Sequence, residues 1–256
     1  VRALAAAMSG SFSRVQFTPD LMPSDVSGHA FYDPKSESFK IRRGPVFANL
    51  LLADEINRAP AKVQSALLEA MQEGQVTIES RSFPLDAPFL TIATQNPIEQ
   101  EGTYPLPEAQ LDRFLMQVDV DYPSAEDERA IMLATTTGRA PDIHAAMNAT
   151  DLIALQALVR DMPIGDGVVN AILTLVRAAR PGDDAAESVK DYVAWAPGPR
   201  GAQALMMTTR AKALLEGRVT PSIDDVIDLA VPVLKHRMAL NYKARTAGVT
   251  VDSLLR

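Results

Sequence analysis

Apolar positions set two different rhythms along the chain, one up to about residue 123 and another after it. The opening VRALAAAMSG reads as the end of a helix, with Val1, Leu4, Ala5 and Met8 at helical spacing and Gly10 as the stop. SRVQF (13–17) is a short strand candidate. Residues 18–39 are rich in Pro, Asp and Ser and read as a long loop with short elements. A loop of that length inside a compact domain is usually functional or mobile. PVFANLLLADE (45–55) is almost continuously apolar, the pattern of a parallel strand covered on both faces. Pro60 suits a first helical position, and Val63, Leu67, Ala70 and Met71 mark one helix face running to Gly74. QVTIESRSFPL (75–85) reads as a hairpin, and PFLTIATQNP (88–97) as a second apolar strand ending on Gln95 and Asn96. Residues 101–115 read as a loop into a short helix, and FLMQVDVDYP (114–123) alternates toward a third strand.

Beyond about residue 125 the strand signals stop and five amphipathic helices follow. The last begins at TPSIDDVIDLA, where Thr220 with Pro221 and the acids Asp224 and Asp225 form a capping signature. The pattern predicts an α/β part followed by a helical part, with the boundary between Tyr122 and Glu126.

Composition narrows the function classes. A 47% hydrophobic share is that of a globular protein with a substantial core. There is no Cys, which removes disulfides, thiolate zinc sites and Cys nucleophiles, fits a reducing compartment and predicts a cytoplasmic protein. No apolar run approaches the roughly 18–20 residues that span a bilayer, so no membrane insertion is expected. The net charge is −7, and neither half carries the basic excess that phosphate-backbone binding demands. Nucleic acid is therefore not the expected partner. His29, His144 and His236 show no metal-ligand spacing, Arg42 and Arg43 read as a solvated hairpin end, and Trp195 reads as packing within the helical part.

The candidate chemistry lies at the ends of the apolar strands. Ligands of open parallel sheets sit beyond the carboxyl ends of the strands, and here those ends carry Asp54–Glu55 and Gln95–Asn96. An apolar strand followed by Asp-Glu is the Walker B pattern, in which the Asp holds Mg²⁺, the Glu polarises the attacking water, and a polar residue on a neighbouring strand, here Asn96, helps to orient it. The bland reading is a strand that leaves into a solvated acidic turn, with an Asn-Pro turn beside it.

Three long strings, in order, sharpen the choice: FTPDLMPSD, LLLADEINRAPAKVQSALLEAMQEGQVT and FLTIATQNPIEQEGTYPLPEAQLDRF. With them the chain resembles the MoxR family of AAA+ ATPases over nearly its whole length. The resemblance implies a three-layer αβα P-loop ATPase core over residues 1–124, with an insert in its second helix at about 18–43, and an all-α lid domain over 125–256. It implies ATP and Mg²⁺, a homo-oligomeric, hexameric ring with sites between subunits, and protein remodelling or cofactor insertion, with a client and a von Willebrand factor A domain protein as partners. Asp54 matches the metal-side acid, Glu55 the base and Asn96 the sensor 1 residue. Arg113 matches the arginine finger, worth roughly 10³ to 10⁵ in rate, and Arg200, in GPRGAQAL, matches sensor 2. For Arg113 the bland alternative is an ion pair with Asp112 or a surface carboxylate; for Arg200 it is an ordinary helix-start cation. The loop 98–107 and the insert 18–43 are the expected places where nucleotide state passes to a client.

One motif of the family has no counterpart. None of the 13 glycines opens G-x-x-x-x-G-K-[ST], the phosphate grip. The resemblance therefore implies that the chain starts just after that motif and its strand, and that this stretch alone neither grips nor hydrolyses ATP. An inactive or regulatory ring subunit and a metal-chelatase motor subunit are the alternative functions.

Overall fold

The computed structural model describes residues 1–96, 103–136, 143–182 and 185–255. The first helix, α1 (Arg2–Ala7), buries Ala5 and Met8 but leaves Val1 and Leu4 exposed, so the expected face is narrower than its spacing suggests. Strand β1 (Phe12–Gln16) leads into a short helix α2 (Pro23–Ser27) and an antiparallel hairpin of β2 (Gly28–Asp33) and β3 (Ser38–Arg43). The segment expected to be mostly loop is thus largely a hairpin. Its polar residues make local bonds, such as Ser36 Oγ to Asp33 Oδ2 at 2.9 Å, which hide a strand signal inside a polar composition. Gly28, at φ +93, allows the close approach where β2 meets the end of β3: a Cβ there would lie 2.2 Å from the Arg42 carbonyl. Arg42 and Arg43 lie exposed at the hairpin end, and Arg43 sits 4.8 Å over the Phe47 ring.

Strand β4 (Leu50–Asp54) lies in the middle of a parallel sheet. Helix α3 (Ala61–Glu73) follows, ended by Gly74 in the left-handed region, then the hairpin β5 (Gln75–Ile78) and β6 (Arg81–Pro84), and strand β7 (Leu90–Ala93). The sheet order is β1-β4-β7, with Val15 opposite Ala53 and Ala53 opposite Ala93. Leu51 and Ala53 are fully buried and share a core with Val15, Phe17, Val46, Val63 and Leu67. Each large apolar side chain fully buried there contributes about 1.5–3 kcal/mol. Arg14, Gln16 and Asp54 fall on the other face of the sheet, because side chains alternate along a strand.

After the short helix α4 (Glu108–Leu111) the expected third strand does not form. Residues 114–123 pair with no strand among the described residues, and Val118 and Val120 are 71% and 90% exposed. Their backbone is engaged elsewhere: Gln117 N donates to Pro232 O at 2.8 Å, and the Phe114 and Leu115 carbonyls accept from Arg237. Alternation signals a strand only when an edge is beside it.

The helical part runs through α5 (Ala125–Thr135), α6 (Ala149–Asp161), α7 (Asp166–Ala178), α8 (Glu187–Tyr192), α9 (Pro199–Leu215), α10 (Ile223–Leu234), α11 (Tyr242–Ala247) and α12 (Val251–Leu255). The five expected helices are there, but the part is not all-α. Strand β8 (Val193–Trp195), between α8 and α9, pairs antiparallel with β9 (Ala239–Leu240), after α10. Two or three residues are too few for a visible period. Trp195 lies in β8 and is 48% exposed, so it is not the packing residue expected. The α10 cap is Ser222 rather than Thr220: Ser222 Oγ accepts from Asp225 N, and Asp225 Oδ2 accepts from Ser222 N. Val168, Ile172, Leu205, Val233 and Leu234 form the core of this part.

Candidate functional site

Asp54 is the last residue of β4, and Glu55 leaves the strand with φ +56, a left-handed conformation unusual for a non-glycine. Sheet pairing continues on both sides of this kink. Thr94 N donates to Ala53 O at 2.9 Å, Ile56 N to Thr94 O at 3.0 Å and Phe17 N to Asp54 O at 2.8 Å. Both acids thus stand at the carboxyl end of β4.

One hydroxyl organises the pair. Thr94 Oγ1 donates to Asp54 Oδ1 at 2.6 Å and accepts from Glu55 N at 2.8 Å. On the other side Arg14 Nε donates to Asp54 Oδ2 at 3.0 Å, and a second Arg14 nitrogen pairs with the same oxygen. The Thr94 hydrogen bond, and then Arg14, hold the Asp54 carboxyl below its usual range against the opposing effect of burial. Glu55 Oε2 accepts from Gln16 Nε2 at 2.8 Å and from Arg58 Nη1 at 3.2 Å. Among the described residues Glu55 Oε1 accepts no hydrogen bond. The side chains of Asp54 and Glu55 are 21% and 25% exposed, so both are reachable.

The turn after Glu55 is fixed from below. Buried Gln64 Nε2 donates to the carbonyls of Ile56 at 3.2 Å, Ala59 at 3.1 Å and Tyr104 at 2.9 Å. Asn96 lies two residues beyond Thr94, and its carbonyl accepts from Asn57 Nδ2 at 3.4 Å. Tyr104 N donates to Asn57 O at 2.6 Å. The acids, Asn96 and Tyr104 are thereby one connected unit. Residues 98–102 of the expected coupling loop lie outside the described residues.

Mg²⁺ suits this donor set. The ion prefers one or two carboxylates, with waters and substrate phosphates completing the shell, and Asp54, kept ionised with a hydroxyl at its side, supplies one carboxylate. No cluster of three or more His, Asp or Glu side chains able to cage a metal occurs among the described residues.

Arg113 and Arg200 meet elsewhere. They line a cavity of about 320 Å³ together with Met71, Asp112, Gln203 and Arg237, between α3, the end of α4 and the start of α9. Asp54, Glu55 and Asn96 are not among the residues lining it. The five expected residues therefore fall into an acidic group and a cationic cleft. Arg113 is exposed, and no carboxylate among the described residues pairs with it. Asp112 instead pairs with Arg237 Nε at 2.9 Å and lies 4.0 Å from Arg200 Nη1. Arg200 is the second residue of α9, after Pro199.

Reading the sequence missed Arg14, Gln16, Thr94, Gln64 and Arg237. Gln64 had a signal: it is a polar residue three and four positions before Leu67 and Leu68, on the apolar side of α3. Arg237 also had one, as a cation three residues past the end of the strongly apolar α10.

Residues 1–116 match the ATPase family associated with various cellular activities (AAA), and residues 185–256 match the AAA lid domain. The chain is 46% identical to chaperone MoxR1 of Mycobacterium tuberculosis, over all of this chain and 68% of that protein. It is 32% identical to protein MoxR of Paracoccus denitrificans, over 94% of this chain and 76% of that one. A crystal structure from Cytophaga hutchinsonii, assigned as an ATPase, superposes with a TM-score of 0.92 at 40% identity, over 99% of this chain and 78% of the other. No helix among the described residues is long and apolar enough to cross a membrane. The extent and the identity of these matches place the chain in the MoxR family of AAA+ ATPases.

Proposed function

We propose that the protein hydrolyses MgATP in a hexameric ring and uses the cycle to remodel partner proteins in the cytoplasm. The observation that carries this reading is the asymmetry of Glu55: Oε2 is anchored by Gln16 and Arg58 while Oε1 accepts nothing among the described residues. A carboxylate held by one oxygen is oriented, and the other oxygen can accept a proton from a water aimed at a γ-phosphate. Asp54 is the residue to hold Mg²⁺, which would supply charge neutralisation at the phosphates. Asn96, whose carbonyl is tied to the same turn through Asn57, is the residue we assign to orient the water.

The separation of the arginines supports catalysis between subunits. Arg113 and Arg200 share a cleft that Asp54 and Glu55 do not line. Arg113, exposed there with no carboxylate paired to it among the described residues, suits the phosphates held by a neighbouring copy, while Arg200 faces Asp112 at 4.0 Å. We assign residues 1–124 to the ATPase core and 125–256 to the lid, with the hairpin at 28–43 lying within the insert. Insertion of cofactors, and a von Willebrand factor A domain partner, belong to the same proposal. They rest on the family likeness alone.

The test is subunit mixing in the full-length protein. Arg113→Ala and an Asp54→Ala, Glu55→Ala double variant should each lack turnover. Mixed together they should regain part of it, at interfaces where an intact acid pair meets an intact Arg113. No recovery at any ratio would reject the arrangement in trans.

A further inference from the structure

Arg237 is almost wholly buried, 3% exposed, in the single 3-10 turn that follows α10. Its guanidinium has five N–H donors, and all five are used. Nε donates to Asp112 Oδ1 at 2.9 Å, and Nη2 to the carbonyls of Asp112 at 3.2 Å and Phe114 at 2.6 Å. Nη1 donates to the Leu115 carbonyl at 3.2 Å and to the Val233 carbonyl. Four of the five bonds therefore land on residues 112, 114 and 115, on both sides of Arg113.

The same junction is tied at further points. His236 Nε2 lies 3.0 Å from the Phe114 carbonyl, Gln117 N donates to Pro232 O at 2.8 Å, and Lys235 Nζ reaches Asp119 Oδ2 at 2.6 Å. Asp112 also faces Arg200 of α9. Arg113 itself is left exposed in the cleft.

We infer that Arg237 is the positioning residue for Arg113, locking the 112–115 turn to the lid so that lid and Arg113 move as one body. This rests on the proposed role of Arg113. A buried guanidinium is costly unless every donor is satisfied, and here the satisfaction comes from the carbonyls that bracket one residue. Any tilt of the lid, whether driven by nucleotide at Arg200 or by a client, is then carried rigidly to the cation offered to the next subunit. Lysine cannot substitute, because an ammonium is a point charge with three donors and no planar fork.

The experiment compares Arg237→Lys with wild type and Arg113→Ala in the full-length protein. Arg237→Lys should lower kcat by about tenfold or more, part of the roughly 10³-fold or greater effect of an arginine finger. The KM for MgATP should stay within about twofold, since an interaction made only in the transition state is being lost. Mixing with Glu55→Gln subunits, which carry intact Arg113 and Arg237, should restore turnover; a subunit that had merely lost its fold could not be rescued. Unchanged kcat in Arg237→Lys, or loss without rescue where Arg113→Ala is rescued, overturns the inference. Retained turnover in Arg113→Ala would instead reject the function on which it rests. If Arg237→Lys does not fold, Lys235→Met, which cuts the more exposed tie to Asp119, decides: a lower kcat at constant KM supports the linkage, and an unchanged kcat overturns it.

Discussion

Thr94 Oγ1, just beyond β7, donates at 2.6 Å to Asp54 Oδ1 at the end of the neighbouring central strand β4. The same oxygen accepts from the Glu55 amide. A single hydroxyl thus favours the ionised form of one acid and holds the backbone of the other. Thr94→Val keeps the side-chain shape and deletes both bonds. It should lower kcat/KM for ATP by about tenfold or more, on the scale of removing one hydrogen bond to a charged group, roughly 1.5–3 kcal/mol. Thr94→Ser should retain most of the activity. Steady-state kinetics of the two variants check this, and equal losses in both would contradict it.

Gln64 holds three carbonyls from a site with no solvent. Gln64→Leu fits the volume but leaves buried acceptors unpaired, at about 1–3 kcal/mol. Urea unfolding should show that loss with an unchanged m-value. Turnover should fall as well, because the turn that carries Glu55 loosens. Stability equal to wild type would remove Gln64 from the account.

His236 gives a pH dependence whose sign is fixed. Burial, and then the neighbouring Arg237 charge, push the ring down to about 4, while the Phe114 carbonyl and Asp112 act in the other direction. The unfolded ring titrates near 6.5. Between those values the unfolded chain binds the proton and the folded protein does not, so stability rises with pH across that window. Acidification from about pH 6.5 to 4 should therefore remove up to about 3 kcal/mol through this group. Comparing denaturant midpoints at pH 7 and pH 5 in wild type and His236→Gln checks it: the variant should show a flatter slope. An identical slope in both would contradict it.

The sheet was legible because β4 is nearly all apolar and its acids stand at the end, where burial stops. The long helices were legible for the same reason, since a face that repeats over three turns leaves a clear period. The hairpin at 28–43 was hidden because its strands are exposed and polar, with Phe39 77% exposed, so no buried face imposes alternation. Residues 114–123 failed in the opposite way, with the alternation present and no edge beside it. Asp54, Glu55 and Asn96 could be named from strand ends. Thr94, Gln16 and Arg14 could not, because their importance lies in which strands are neighbours. Arg237 is more than 120 positions from Asp112, a pairing that no local pattern encodes.

The most direct measurement is ATP binding and turnover, side by side, for wild type and Glu55→Gln in the full-length protein. The amide keeps the size of Glu55 and can still contact Gln16 and Arg58, but it cannot take a proton. The account predicts MgATP affinity within about twofold of wild type and turnover lowered by roughly 10²-fold or more, the scale of a lost general base. Turnover retained at the wild-type rate would contradict the role of Glu55 and, with it, the catalytic reading of the strand end.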